Sequence, residues 1–245
     1  MKYPMKKFLI IFSSLILLML VPIYSRYIEP KLLQTTYLRL GNGNPQLKFV
    51  QISDIHLSQH YTEDDLKRVI DKIINIFSGL NVNIGKYAVW GNHDYGGGAA
   101  RIYRTVMESS GFQILKNNGT TIPLTSNKKI FIGGIDDGLL GTPSIKDMLD
   151  FRDEANYSIV LAHEPELAEE LIGTGTQLVL SGHSHGNQVN LPINLFHHSL
   201  SKKYTRGFYD FDGRTKLYVN KGLGTTHLPL RFGSIPEISV FELYF

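Results

Sequence analysis

The chain has 245 residues, of which 42% are hydrophobic and 19% charged. That charge content lies below the roughly 25% of an ordinary soluble domain, and the apolar content excludes a disordered chain. The length suits one domain of about 200 residues plus an appendage. A net charge of +3, with no basic block or arginine-rich arm, sets nucleic acid aside as a partner. Cysteine is absent, so disulfides, thiolate metal sites and cysteine nucleophiles are excluded, and any metal must be held by His, Asp, Glu or Asn.

In chain order, Phe8 to Tyr24 is free of charge and follows Lys2, Lys6 and Lys7. At 1.5 Å per residue it spans about 25 Å, the short end of a transmembrane helix, and Lys7 and Arg26 can snorkel to the headgroups. The expectation is an uncleaved anchor over residues 1–25. A cleaved signal peptide and a buried core helix are the alternatives, the first disfavoured because no small-residue cleavage site follows. The lysines before the span favour an inside N-terminus, which puts the remainder on the extracytoplasmic side of the cell membrane. Residues 26–45 read as a juxtamembrane connector ending in the turn-rich Gly41–Pro45, and 46–245 as the functional domain.

From there short apolar runs alternate with helical patterns. Leu47–Ser53 reads as a strand. Glu63–Phe77 reads as a helix with Leu66, Val69, Ile70, Ile73, Ile74 and Phe77 on one face, Thr62 as N-cap and Asp65 at the capping-box position. Tyr87–Trp90 is a predicted strand, Ala99–Ser109 a helix, Lys129–Ile135 a strand, and Thr142-Pro143 the start of a short helix. Tyr157–Ala162, Gln177–Ser181, Lys216–Asn220 and Ile238–Tyr244 read as strands and Glu166–Ile172 as a helix. The pattern predicts an α/β domain built on a two-sheet β-sandwich flanked by helices.

Four polar clusters follow strand ends: Asp54-Ile55-His56, Gly91-Asn92-His93-Asp94, His163, and Gly182-His183-Ser184-His185. In open α/β sheets ligands bind beyond the carboxyl ends of the strands, so strands of common direction would bring these clusters to one edge. Imidazole, carboxylate and amide oxygen suit borderline divalent ions such as Mn, Fe or Zn. Residues one apart in an extended segment point the same way, so Asp54 with His56, and His183 with His185, can each clasp an ion.

In the order of these motifs, from about Tyr27 onward, the chain resembles the calcineurin-like metallophosphoesterase superfamily, and more closely its membrane-anchored bacterial branch. Ile52–Leu57, Gly91–Tyr95, Gly134–Asp137, Ser181–Val189 with Leu191-Pro192, and the tail segments Asn220–Gly224, Leu228–Phe232 and Pro236-Glu237 carry the likeness. It implies two divalent metal ions, the first held by Asp54, His56 and His185 and the second by Asn92, His163 and His183. It implies that His93 protonates the leaving group or stabilises the transition state, with Asp94 orienting it. The reaction implied is hydrolysis of a phosphomonoester or phosphodiester at the membrane. Branch members acting on nucleotide-linked lipid sugars make a lipid-linked substrate conceivable.

The chain departs from the family in one motif. The G-D-x-x-D segment, whose first Asp bridges the metals, is missing, and no Gly-Asp pair occurs anywhere. Two dications about 3.5 Å apart repel by roughly 19 kcal/mol at an effective dielectric of 20, so losing that carboxylate weakens at least one ion. This leaves an alternative of another class: a catalytically impaired pseudoenzyme that binds metal or a phosphorylated ligand. Asp94, Asp136 and Asp137 are the candidate substitutes, although Asp136-Asp137 also reads as an ordinary turn.

Arg101 and Arg104 are candidates for gripping phosphate or, alternatively, residues of a solvated helix face. The loop Pro192–Tyr209, with Phe196, His197, His198, Lys202, Lys203, Tyr204 and Arg206, lines the substrate entrance, meets anionic headgroups, or is a plain surface loop. The sequence alone identifies no partner for His60 or His227, and Arg231 is expected in a structural ion pair.

Overall fold

The computed structural model describes residues 3–56, 63–96, 102–190 and 200–245, with the side chains of 3–5, 17 and 63–69 left aside. Thr62, His60, Arg101, Phe196, His197 and His198, and the side chains of Asp65, Leu66 and Val69, therefore lie outside the described residues.

Helix α1 (Tyr3–Ile23) runs into a π-helical turn at Tyr24–Ile28 and a 3-10 turn at Glu29–Lys31. It is long and apolar enough to cross a membrane, and its described large apolar side chains from Phe8 to Leu20 are exposed. The stretch read as a connector contains a strand, β1 (Gln34–Leu40), which pairs in parallel with the last strand, β11 (Glu237–Leu243). β11 in turn pairs antiparallel with β2 (Leu47–Gln51), giving a three-stranded sheet of order β1-β11-β2.

The second sheet has six strands. It comprises β5 (Asn118–Thr125), β6 (Lys128–Gly134), β7 (Tyr157–Leu161), β8 (Leu178–Ser181), β9 (Gly207–Asp210) and β10 (Lys216–Val219), in the order β5-β6-β7-β8-β10-β9. The central four run parallel and the two edge strands antiparallel. Pro123 sits in edge strand β5 beside a register shift, where a missing donor is tolerated.

Strand alternation divides the core between the two faces of this sheet. Ile130, Ile159, Leu178, Leu180 and Tyr218 face the three-stranded sheet and pack with Leu47, Phe241 and Leu243. Phe131, Val160, Val179, Leu217 and Val219 face the other way, onto Met148 of α5 (Ile145–Leu149) and onto Leu167, Ala168 and Leu171 of a 3-10 helix at Pro165–Leu171. The predicted helix at Glu166–Ile172 is thus a tighter 3-10 turn, opened by Pro165, which fixes φ and lacks an N–H.

The structure departs from a two-sheet reading in one respect. β3 (Lys86–Val89) and β4 (Phe112–Leu115) form a separate two-stranded parallel sheet. They are packed with α2 (Glu63–Ser78) through the Phe77–Phe112 ring pair. The helix expected from Ala99 is described from Tyr103 to Ser109 as α4.

Candidate metal centre

The carboxyl ends of the strands meet at one edge. β2 ends in Asp54 and His56, β3 in the one-turn helix α3 (Asn92–Tyr95), β7 in His163, and β8 in His183 and His185. The two large sheets are tied there directly. Gln51 Nε2 donates to the Ser181 carbonyl at 3.0 Å, the His183 N–H donates to Asp54 Oδ2 at 2.9 Å, and Ser53 Oγ donates to Asn220 Oδ1 at 3.0 Å.

Within this edge His56 Nε2 faces His185 Nε2 at 3.1 Å. Asp54 Oδ1 lies 3.5 Å from His185 Nε2, 3.7 Å from His56 Nε2 and 3.9 Å from His163 Nε2. His163 Nε2 is 3.2 Å from Asn92 Oδ1, and its ring centroid is 5.0 Å from that of His183. Among the described residues, two groups have ligand atoms close enough to hold an ion: Asp54, His56 and His185, and His163, Glu164 and His183. Atoms bound to one ion with bonds of about 2.1 Å sit about 3.0–3.4 Å apart, so the His56–His185 spacing fits a shared cation. The donors are all nitrogen and oxygen, a set that suits Mn, Fe or Zn. All six residues expected as ligands are brought together.

The backbone is shaped for this. Asp54, His56, His183 and His185 have φ of 48°, 42°, 65° and 52°, in the left-handed region that side-chain-bearing residues rarely occupy. Such conformations cost energy and persist where surrounding contacts over-determine them, commonly at functional sites. The flanking glycines let the chains approach. A Cβ at Gly182 would stand 2.3 Å from Asp54 Oδ2, and one at Gly91 would stand 2.8 Å from the His163 ring.

The electrostatics suit a cation. Burial opposes the charge on Asp54, but His185, His56 and His163 outweigh it and hold the carboxyl well below its usual range. Burial pushes His163 down to about 4, which keeps the ring neutral and its lone pair available. Burial and the neighbouring His56 also lower His93.

Among the described residues Asp94 makes no hydrogen bond to His93. Its Oδ2 accepts the Gly91 N–H at 2.9 Å, because Asp94 is the third residue of α3 and closes its first turn, and burial pushes it up to about 6. His93 Nε2 instead lies 3.2 Å from Thr226 Oγ1. Arg231 makes no ion pair among the described residues. Fully buried, it donates to the carbonyls of Lys221, Gly222, Gly224 and Ser234, while the carboxylates of Asp54 and Glu29 act on its charge without direct pairing.

Asp136 and Asp137 form the turn that their sequence suggests. Asp136 accepts from Tyr95 Oη and the Thr142 N–H, and Asp137 Oδ1 from the N–H groups of Leu139 and Leu140. Arg104 pairs with Glu108 at 3.0 Å on an exposed helix face. Lys203 and Tyr204 bind Glu169, and Arg206 binds the Gly233 carbonyl.

Sequence reasoning missed three members of the edge. Glu164 follows His163 and belongs to the second ligand group. Burial and a hydrogen bond with Asp137 push its carboxyl up, and its Oε2 accepts the Gly138 N–H at 2.8 Å. Thr226 and His227 flank His93, the His93–His227 ring centroids being 6.4 Å apart. Adjacency to His163 was the one available signal for Glu164, whereas the tail residues carried none.

No family model matches the chain. Among curated proteins it is 37% identical to the uncharacterised metallophosphoesterase YkuE of Bacillus subtilis, over 90% of this chain and 88% of that one. It is 26% identical to the uncharacterised metallophosphoesterase Cj0846 of Campylobacter jejuni, over 83% of this chain and 61% of that protein. It is also 26% identical to the UDP-2,3-diacylglucosamine pyrophosphatase LpxG of Chlamydia trachomatis, over 90% of this chain and 92% of that one. With its strand-end histidines gathered around a buried aspartate and a relative of this closeness spanning nearly its whole length, the chain belongs to the calcineurin-like metallophosphoesterase superfamily.

Proposed function

We propose that this protein is a membrane-anchored hydrolase of phosphomonoesters or phosphodiesters working through two divalent ions. The observation that carries the reading is the position of Asp54 Oδ1, within 4 Å of His56, His185 and His163, and so within reach of both ligand groups. Asp54, His56 and His185 would hold one ion, and Asn92, His163 and His183 the other, with Glu164 beside them. When bound, such ions supply Lewis acidity to the phosphoryl oxygens and acidify a bound water. The pseudoenzyme alternative rests on the missing bridging motif, and the shared reach of Asp54 speaks for a working site instead.

His93 lies between the ligand cluster and the loop of Thr226 and His227, with its ring centroid 4.5 Å from that of His56. In our reading it donates a hydrogen bond to the leaving oxygen, and Asp94 holds the turn that carries it. Helix α1 is the anchor, and the domain, residues 46–245 together with β1, stands at the extracytoplasmic face. LpxG by its name acts on a lipid-bearing sugar nucleotide, which favours a lipid-linked phosphate as the substrate class here.

Full-length protein in mixed micelles, supplied with Mn²⁺, should release product faster from a diacyl phosphodiester than from a water-soluble diester of the same leaving group. Equal rates would remove the lipid-linked substrate. Hydrolysis of neither would remove the phosphoesterase reading.

A further inference from the structure

The turn Tyr24–Lys31, by which the chain leaves its apolar helix, is built unlike a tether. A tether is exposed and makes few bonds. Here Ser25 is 6% and Glu29 1% exposed. Glu29 Oε1 accepts the Ser234 N–H at 2.6 Å, and the Ser25 carbonyl accepts the Arg231 N–H at 2.9 Å. A buried carboxylate is costly unless hydrogen-bonded, so the placement of Glu29 calls for a reason.

Following the bonds onward supplies it. Ser234 Oγ donates to the His185 carbonyl at 2.7 Å. Arg231 Nη2 donates to the Gly224 carbonyl at 2.5 Å, and the Gly224 N–H donates to the Asp54 carbonyl at 2.6 Å. Two hydrogen-bonded routes therefore run from the end of the apolar helix to the backbones of His185 and Asp54. Those two residues hold left-handed φ angles of 52° and 48°, the conformations that most need fixing from outside. The Tyr24–Phe232 ring contact, 6.4 Å between centroids, closes the same junction.

We propose that this turn is a wall of the metal centre and that Glu29, acting through Ser234, is a positioning residue for His185. The proposal rests on the metal-centre reading given above. It makes the anchor part of the site and not only its attachment: outer contacts that orient a ligand typically change metal affinity about 10- to 100-fold.

The test uses the full-length protein in detergent, stripped of metal, with free Mn²⁺ titrated by electron paramagnetic resonance. Glu29→Ala and Ser234→Ala should each weaken Mn²⁺ binding about 10-fold, while Glu29→Gln, which keeps an acceptor oxygen, should stay within about 2-fold of wild type. Wild-type affinity in both alanine variants would overturn the proposal. Should Glu29→Ala fail to fold, Ser234→Ala decides alone, since it removes the hydroxyl bond to His185 and spares the backbone. Equal loss in Glu29→Gln and Glu29→Ala would also overturn it. A wild-type protein that binds no Mn²⁺ would instead sink the metal-centre reading itself, and the proposal with it.

Discussion

His56 and His185 stand 129 positions apart in the chain, yet their Nε2 atoms face each other at 3.1 Å. One arrives at the end of β2 and the other after β8, from different sheets. The sandwich thus assembles the ligand pair from strands that could not meet locally. Removing either ring by substitution to alanine should lower bound metal to about one ion per chain while the fold persists. Elemental analysis of the purified variants checks the count.

Asp54 should behave differently. Its Oδ1 reaches both groups while its Oδ2 accepts the His183 N–H. Asp54→Asn keeps the shape but removes the charge, and should cost more metal than either single histidine variant. A variant that retains two ions would show that Asp54 serves neither group.

The acid response of the metal-free protein follows from His163. Its folded-state value of about 4 lies below the ordinary 6.5, so the unfolded chain binds the proton more readily between these values. Stability is full above about pH 6.5 and declines toward pH 4, by about 3 kcal/mol from this residue alone. His163→Gln should flatten that part of the profile, and denaturant midpoints measured in EDTA across the range will report it.

Gly91 allows the close approach of α3 to His163. A Cβ there would stand 2.8 Å from two atoms of the ring and 2.9 Å from a third, so Gly91→Ala should displace the ligand. The expected result is loss of metal from the second group with little change in the far-ultraviolet circular dichroism spectrum. Retention of both ions in this variant would show that the ring yields without losing its ion.

Much of this site was legible because its motifs are short, polar and placed directly after apolar runs, where strand direction alone predicts convergence. The six expected ligands met for that reason. What was not legible is what depends on contacts distant in sequence. β1, QTTYLRL, is mostly exposed and half polar, and becomes a strand by pairing with β11 some two hundred residues later. Asp94 reads identically whether it turns to His93 or to the Gly91 N–H, and only the one-turn helix decides. Arg231 looked like an ion-pair partner because arginine carries charge. In the fold it serves as a multiple donor to loop carbonyls, a role that no local pattern announces.

His93 offers the sharpest separation of binding from chemistry. It is absent from both ligand groups yet lies against His56 and Thr226. His93→Ala should leave metal content unchanged and lower kcat by about 100-fold or more, the scale of a lost proton donor. A fall in metal content of the same size would make it a ligand instead.

The most direct measurement is hydrolysis of bis-p-nitrophenyl phosphate by the full-length protein, with and without Mn²⁺, beside His183→Ala. The account predicts turnover that requires the metal, is abolished by EDTA and is lost in the variant. Folded protein that binds two Mn²⁺ and releases no p-nitrophenol, or turnover that survives EDTA, would contradict it.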